Sequence, residues 1–600
     1  MLSRIILQRA ALLTLTLSTG RLHSVTPQSE PLVDIRGLTP QELRSAAFVL
    51  PAPQALHIEA SGAEPRVNRD GSWWGDEDER NTWPAAAWIL DARTREVVWD
   101  LRTARTERAA NGVRHFTGSV QLPAGVYEAY FGSFVATSVS YRGSFREFIS
   151  QQRERNRDHV TYGGPYVDDG SYRQFGLEIR GAGRRATDRD VDSATRAFTA
   201  SAVLSLRPGG PGASERSTFE LPRAMDVAVY AIGELRRDGA FDYGWLLNAD
   251  THRRVWEMAY AHTSDGGGAH KNRMVRTTLH LPAGRYVAYY VSDDSHDPED
   301  WNAVPPYDPA FWGLTLRIAD PTARAGVRPF AWSPVPEGQM IVALTKIGDD
   351  ELRSRGFTLR RPMDVRIYAL GEGSDPDGEM DDYAWILDVT THTRVWAMRY
   401  PDTEPAGGAD KNRLFDGTIH LDPGSYLVYY RSDGSHSYGH WNAAPPAERR
   451  YWGVSVFPAN GQLEPAAVAP FEAGGRGGSA IAELVRMRDG ERSHVAFSLD
   501  RATRVRVYAL GEGMEGELVD YGWIEDARTG NTVWKMTYDA TSDAGGARKN
   551  RLFDGTIRLP AGRYELHYET DGSHAFGDWN ADPPDDPDAW GITLLPADVI

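Results

Sequence analysis

The sequence predicts an all-β protein of four tandem β-sandwich domains, jelly-roll or immunoglobulin-like, the first divergent and carrying a helical insertion. Three observations lead there. The hexapeptide Trp-Asn-Ala-x-Pro-Pro begins at Trp301, Trp441 and Trp579, at spacings of 140 and 138 residues. Val255-Trp256, Val395-Trp396 and Val533-Trp534 keep those spacings, as do Lys271-Asn272-Arg273, Lys411-Asn412-Arg413 and Lys549-Asn550-Arg551. Unrelated markers holding one period mean duplication. Finally, the 59 glycines and 36 prolines suit many short strands joined by turns.

The last copy shows the elements in order. Arg504-Val505-Arg506-Val507-Tyr508 alternates polar and apolar residues, the period of a half-buried strand. Tyr521-Gly522-Trp523-Ile524 runs through a turn at Ala527–Asn531 into Val533-Trp534-Lys535-Met536-Thr537-Tyr538, a hairpin that places Trp534, Met536 and Tyr538 on one face. Leu559-Pro560-Ala561-Gly562 is a tight turn into Tyr564-Glu565-Leu566-His567-Tyr568, and Trp590-Gly591-Ile592-Thr593-Leu594 closes the copy. Strands with one wet face each predict a sandwich. The equivalent tryptophans Trp256, Trp396 and Trp534 are expected in the core.

The domains are placed at 45–182, 198–320, 338–459 and 478–600, after a signal peptide over 1–25. The first copy keeps the hairpin (Trp88 to Trp99) and the Leu122-Pro123-Ala124-Gly125 turn, but lacks the hexapeptide loop; Ser144–Ile149 reads instead as a helical insertion. The Pro-rich stretch 319–337 reads as a semi-rigid spacer and the Gly-rich 459–479 as a free bend, so the last three domains are expected to behave as beads.

Composition limits function. A net charge of −17 argues against nucleic acid, whose phosphates demand a basic surface, and leaves room for calcium. With no cysteine, disulfides, thiol nucleophiles and cysteine–zinc sites are excluded. Arg4 and Arg9 precede the apolar run Ala10–Leu17, the order of an export leader, and no later stretch could span a bilayer. The expectation is a secreted, periplasmic or cell-surface bacterial protein.

The hairpin around Asp526 and Val533-Trp534, with the Leu559-Pro560-Ala561-Gly562-Arg563-Tyr564 turn, resembles the bacterial pre-peptidase C-terminal domain family. The resemblance implies a jelly-roll-like accessory module of secreted proteins. The Trp-Asn-Ala-x-Pro-Pro loop lies outside that family's pattern, so no residue role carries over.

The candidate site is a polar loop at one end of each later copy. It comprises Asp293, His296, Trp301 and Asn302; then Asp433, His436, Trp441 and Asn442; then Asp571, His574, Trp579 and Asn580. A carboxylate, an amide and an indole face suit a sugar; Asp and Asn also suit calcium; one histidine per loop is too few for zinc. The alternative is a structural lid, with Asp-x-Ser as a turn. Glu234, Glu372 and Glu512, with Asp242, Asp382 and Asp520, flank one loop and could meet at a cation or could be solvated strand ends. Gly-Gly-Ala before Lys271, Lys411 and Lys549 lacks the phosphate-loop pattern. No catalytic motif is present. The leading expectation is a non-enzymatic binding module for glycans or cell-surface proteins, with no cofactor. The alternative is a structural spacer or assembly subunit. A hydrolase using Trp73, Trp74 and Asp76 ranks third.

Overall fold

The structure, a computed structural model, describes residues 30–64, 82–109, 112–134, 171–293, 295–298, 301–374, 380–471 and 480–597. The expected leader, the insertion at 144–149 and Trp73, Trp74 and Asp76 lie outside these. The regular structure of the described residues is mostly antiparallel strand, and the all-β, multi-sandwich expectation holds.

In the fourth repeat one sheet runs in the order Ala482–Val485, Gly591–Pro596, Thr503–Met514, Asn550–Leu559, with the short Ser542–Asp543 at its edge. The other runs Arg492–Leu499, Gly562–Glu569, Tyr521–Asp526, Thr532–Lys535. Chain neighbours mostly alternate between the two sheets, which is jelly-roll and not immunoglobulin connectivity. The third repeat has the same order with an added edge strand, and the second has the same order without one. In the first, a single Ala63–Ala85 pairing joins the two halves into one continuous sheet.

Alternation explains the core. Val505, Val507, Leu566 and Tyr568 are fully buried between the sheets, with Ile592, Leu594 and Trp590 from the closing strand. The Leu-x-x-Gly-x-Tyr turn has a physical reason. The Tyr127, Tyr286, Tyr426 and Tyr564 hydroxyls donate to the carbonyls of Pro123, Pro282, Asp422 and Pro560, 2.8–3.0 Å away. Gly562 leaves room for that ring: a Cβ there would lie 3.2 Å from it. Trp534 is only half-buried, packed edge-on to Phe553, while Met536 beside it is 1% exposed. The hairpin tryptophan thus caps the core edge, and the methionine fills it.

Three expectations need correction. The first sandwich begins before residue 45, because Val33–Arg36 pairs with Gly176–Arg180 and buries Val33 and Ile35. Val468–Phe471, expected in a free linker, pairs with Leu352–Leu359 as an edge strand of the third repeat. A helix at Asp188–Thr199 stands where none was expected, with the Thr187 N–H donating to the Asp190 carboxylate at 2.8 Å.

The chain forms two compact units: residues 1–200 with 265–272 and 301–309, and the remainder, which holds most of the second repeat and all of the third and fourth. Within the second unit the repeats are not beads. The Trp385 indole donates to the Asp585 carbonyl at 2.8 Å and stacks on Tyr429, whose hydroxyl donates to Asp588 at 2.7 Å. His392 pairs with Asp586 at 2.8 Å and stacks on Tyr508. One repeat earlier, Trp245 stacks on Tyr289, whose hydroxyl donates to Glu448 at 3.0 Å. The outer face of the third repeat's sheet is therefore dry: Trp385, Leu387, Leu427 and Tyr429 are all at most 2% exposed. Within the first unit, Trp88 likewise donates to the Tyr307 carbonyl at 2.7 Å, and buried Arg95 bridges Glu128 and Asp308.

Candidate functional site

In the third repeat the expected histidine, tryptophan and asparagine come together, and in the fourth the histidine and tryptophan do. In the third repeat, the loop after Gly424–Arg431 turns back under the sandwich end and buries His436 completely. Its ring nitrogens meet Asn442 Oδ1 at 2.9 Å and Asn412 Oδ1 at 2.7 Å. The Asn412 amide donates in turn to the Gly407 and Ala444 carbonyls, both at 2.9 Å. Lys411 donates to Asn442 at 2.6 Å and pairs with Glu372 at 2.8 Å. Trp441 packs edge-on to His436 and to the fully buried Trp452. The fourth repeat repeats this: His574 meets Asn550 at 2.7 Å, Lys549 bonds Asn580, and Trp579 packs on Trp590. In the second, His296 is buried against Trp312, and Lys271 donates to Asn302 at 2.9 Å.

Each aspartate serves the turn. Asp293, Asp433 and Asp571 accept from the N–H of Ser295, Ser435 and Ser573 at 2.8 Å. Their own N–H groups donate to Asp242, Asp382 and Asp520, carboxylates that are 0% exposed and also accept from the indoles of Trp312, Trp452 and Trp590. Burial above all, then the neighbouring Asp433 and Glu372, pushes Asp382 up to about 8. Asp520 is pushed up to about 7 in the same way. His296, His436 and His574 all have φ between 52° and 58°. Side chains other than glycine adopt this region rarely, so the buried ring contacts hold the turn in a conformation the backbone disfavours.

The sugar-binding groups are thus present but engaged. Asn442 and Asn580 are exposed, yet each amide oxygen receives a lysine, and Trp441 and Trp579 turn into the core edge. No protein family and no curated protein matched the chain. The pre-peptidase resemblance therefore rests on its motif residues alone.

The sequence reading missed Asn412 and Asn550, using them only as period markers. Both are 0% exposed, and each ties its histidine to two loop carbonyls. A signal existed: an asparagine and a histidine recur 24 residues apart in three copies, and a recurring buried polar residue needs a partner.

Burial chiefly, with the nearby lysine, lowers His436 and His574 to about 4. Unfolded histidine titrates near 6.5, so between these values the unfolded chain binds more protons. The stability they contribute is complete above about 6.5 and is lost as pH falls through about 4. Asp382 and Asp520 act oppositely, because they hold protons in the folded state. The histidine share is therefore read as a difference: His436→Gln/His574→Gln should flatten the loss of urea midpoint between pH 6.5 and 4. A curve parallel to the parent chain's would refute the assignment.

Proposed function

We propose that the chain is a non-catalytic structural array, in which repeated end loops lock each sandwich and seat it against its neighbour. This favours the structural alternative over glycan binding. One observation carries it: the end-loop asparagine, histidine and tryptophan that could read a sugar are engaged by Lys411, Asn412 and Trp452, or their counterparts, while the loop tip meets the adjoining repeat through Glu448 or Asp585 and Asp588. The fourth repeat supports the reading. Where the third presents Leu387, Leu427 and Tyr429 to the neighbouring repeat, it presents Glu525, Glu565 and His567, a polar face that suits contact with water. The expected leader and the absence of cysteine suit an exported setting for such an array.

The test pairs binding with stability. The intact chain should give no saturable signal on a glycan array. Asn550→Ala should lower stability by about 1–3 kcal/mol, the cost of leaving buried partners unsatisfied, measured by urea denaturation. Saturable sugar binding abolished by Trp579→Ala would return the loop to a ligand site.

A further inference from the structure

The acidic residues flanking the end loop form a second cluster, which shares Asp433 and Asp571 with it. Glu372 ends the strand Met363–Glu372, Asp382 precedes Tyr383–Asp388, and Asp433 follows Gly424–Arg431. One carboxylate oxygen from each lies within 4.8 Å of the others, and the same holds for Glu512, Asp520 and Asp571. Oxygens bound to one calcium ion at roughly 2.3–2.6 Å stand no more than about 5 Å apart, so this spacing fits a shared ion.

An independent observation points to a ligand. The Glu372 side chain is 6% exposed, and Lys411 satisfies only its Oε1. Its Oε2 is buried without a hydrogen-bond partner, as is Oε2 of Glu512. A buried, ionised oxygen left bare is costly. Asp382 is already oriented by the Asp433 N–H and the Trp452 indole, and each of its oxygens keeps a second lone pair. Once a cation displaces the proton that burial leaves on Asp382, three carboxylates against one lysine leave two formal negative charges, which a divalent cation balances. Neither cluster includes a histidine: the ligand atoms are carboxylate oxygens alone. An all-oxygen set selects a hard ion over zinc. Asp433 is half-buried and Asp571 exposed, so ion and completing waters have a way in.

We propose that the Glu372–Asp382–Asp433 and Glu512–Asp520–Asp571 triads each bind one hard divalent cation of the calcium type. Asp433 and Asp571 would hold the ion through their carboxylate oxygens while the same residues brace the end-loop turn. It is tested on the full chain, stripped with EDTA and then titrated with calcium by calorimetry. Terbium serves as a luminescent stand-in excited through Trp452 and Trp590. Asp433→Asn and Asp571→Asn should each remove one calcium equivalent and lower the terbium emission, and the double variant should lose both. Melting in EDTA, compared with the parent chain, shows that these exposed-side variants still fold. Calcium should raise the melting temperature of the parent and not of the double variant. The proposal is overturned by a parent chain with no calcium heat and no terbium emission, or by variants that fold and keep the parent stoichiometry.

Discussion

Trp590→Ala is expected to lower the stability of the fourth repeat by about 3–5 kcal/mol, the usual loss for a fully buried large aromatic. The indole is 0% exposed, forms an edge contact with both His574 and Trp579, and donates to Asp520 at 3.2 Å. Removing it opens a cavity below the end loop and strips a donor from a carboxylate that burial already disfavours. Phenylalanine in its place restores much of the volume but not the donor, so Trp590→Phe should fall between parent and alanine. Urea denaturation followed by circular dichroism separates the three. If Trp590→Ala costs no more than an exposed substitution, about 0.5 kcal/mol, the end loop is not braced through this ring.

The periodicity made the architecture readable. Strand alternation such as Arg504-Val505-Arg506-Val507 maps directly onto a sheet with one side in the core, and Val505 and Val507 are fully buried as alternation requires. The convergence of His436, Trp441 and Asn442 was legible only as a condition of the loop being a site, because fixed spacing keeps three groups on one loop without fixing where their side chains point. What spacing could not say is whether those groups face outward. That depends on Lys411 and Asn412, far away in sequence, which occupy the Asn442 oxygen and the His436 Nε2 that a ligand would use. The joints were harder to read for a similar reason. Tyr426-Leu427-Val428-Tyr429-Tyr430 differs from Tyr564-Glu565-Leu566-His567-Tyr568 at the two outward positions, a contrast that reports a covered face only once the neighbour is known. The early strand Val33–Arg36 is four residues long, too short for alternation to separate it from a linker; its place is set by pairing with Gly176–Arg180.

Trp385→Ala should cost about 3–5 kcal/mol, whereas Trp523→Ala, at the same position one repeat later, should cost only about 1–2 kcal/mol. Both side chains are largely buried, at 2% and 8% exposed, so area alone predicts similar losses. Their surroundings differ. Trp385 stacks on Tyr429 and donates to the Asp585 carbonyl of the next repeat. Its removal leaves that carbonyl unpaired and loosens the Tyr429–Asp588 bond beside it. Trp523 instead lies between His567, stacked at 4.9 Å, and the Arg492 guanidinium, while its indole donates to Glu525 of its own repeat. Long polar side chains can close over the space left by Trp523 and remain hydrated; the rigid face of another sandwich cannot. Trp385→Ala should also split the shared unfolding of the third and fourth repeats into two transitions, since the joint is what couples neighbouring modules in a linear array. Differential scanning calorimetry of the two variants reads both effects. Equal costs with a single transition in each would mean that the Trp385 contact does not hold these repeats together.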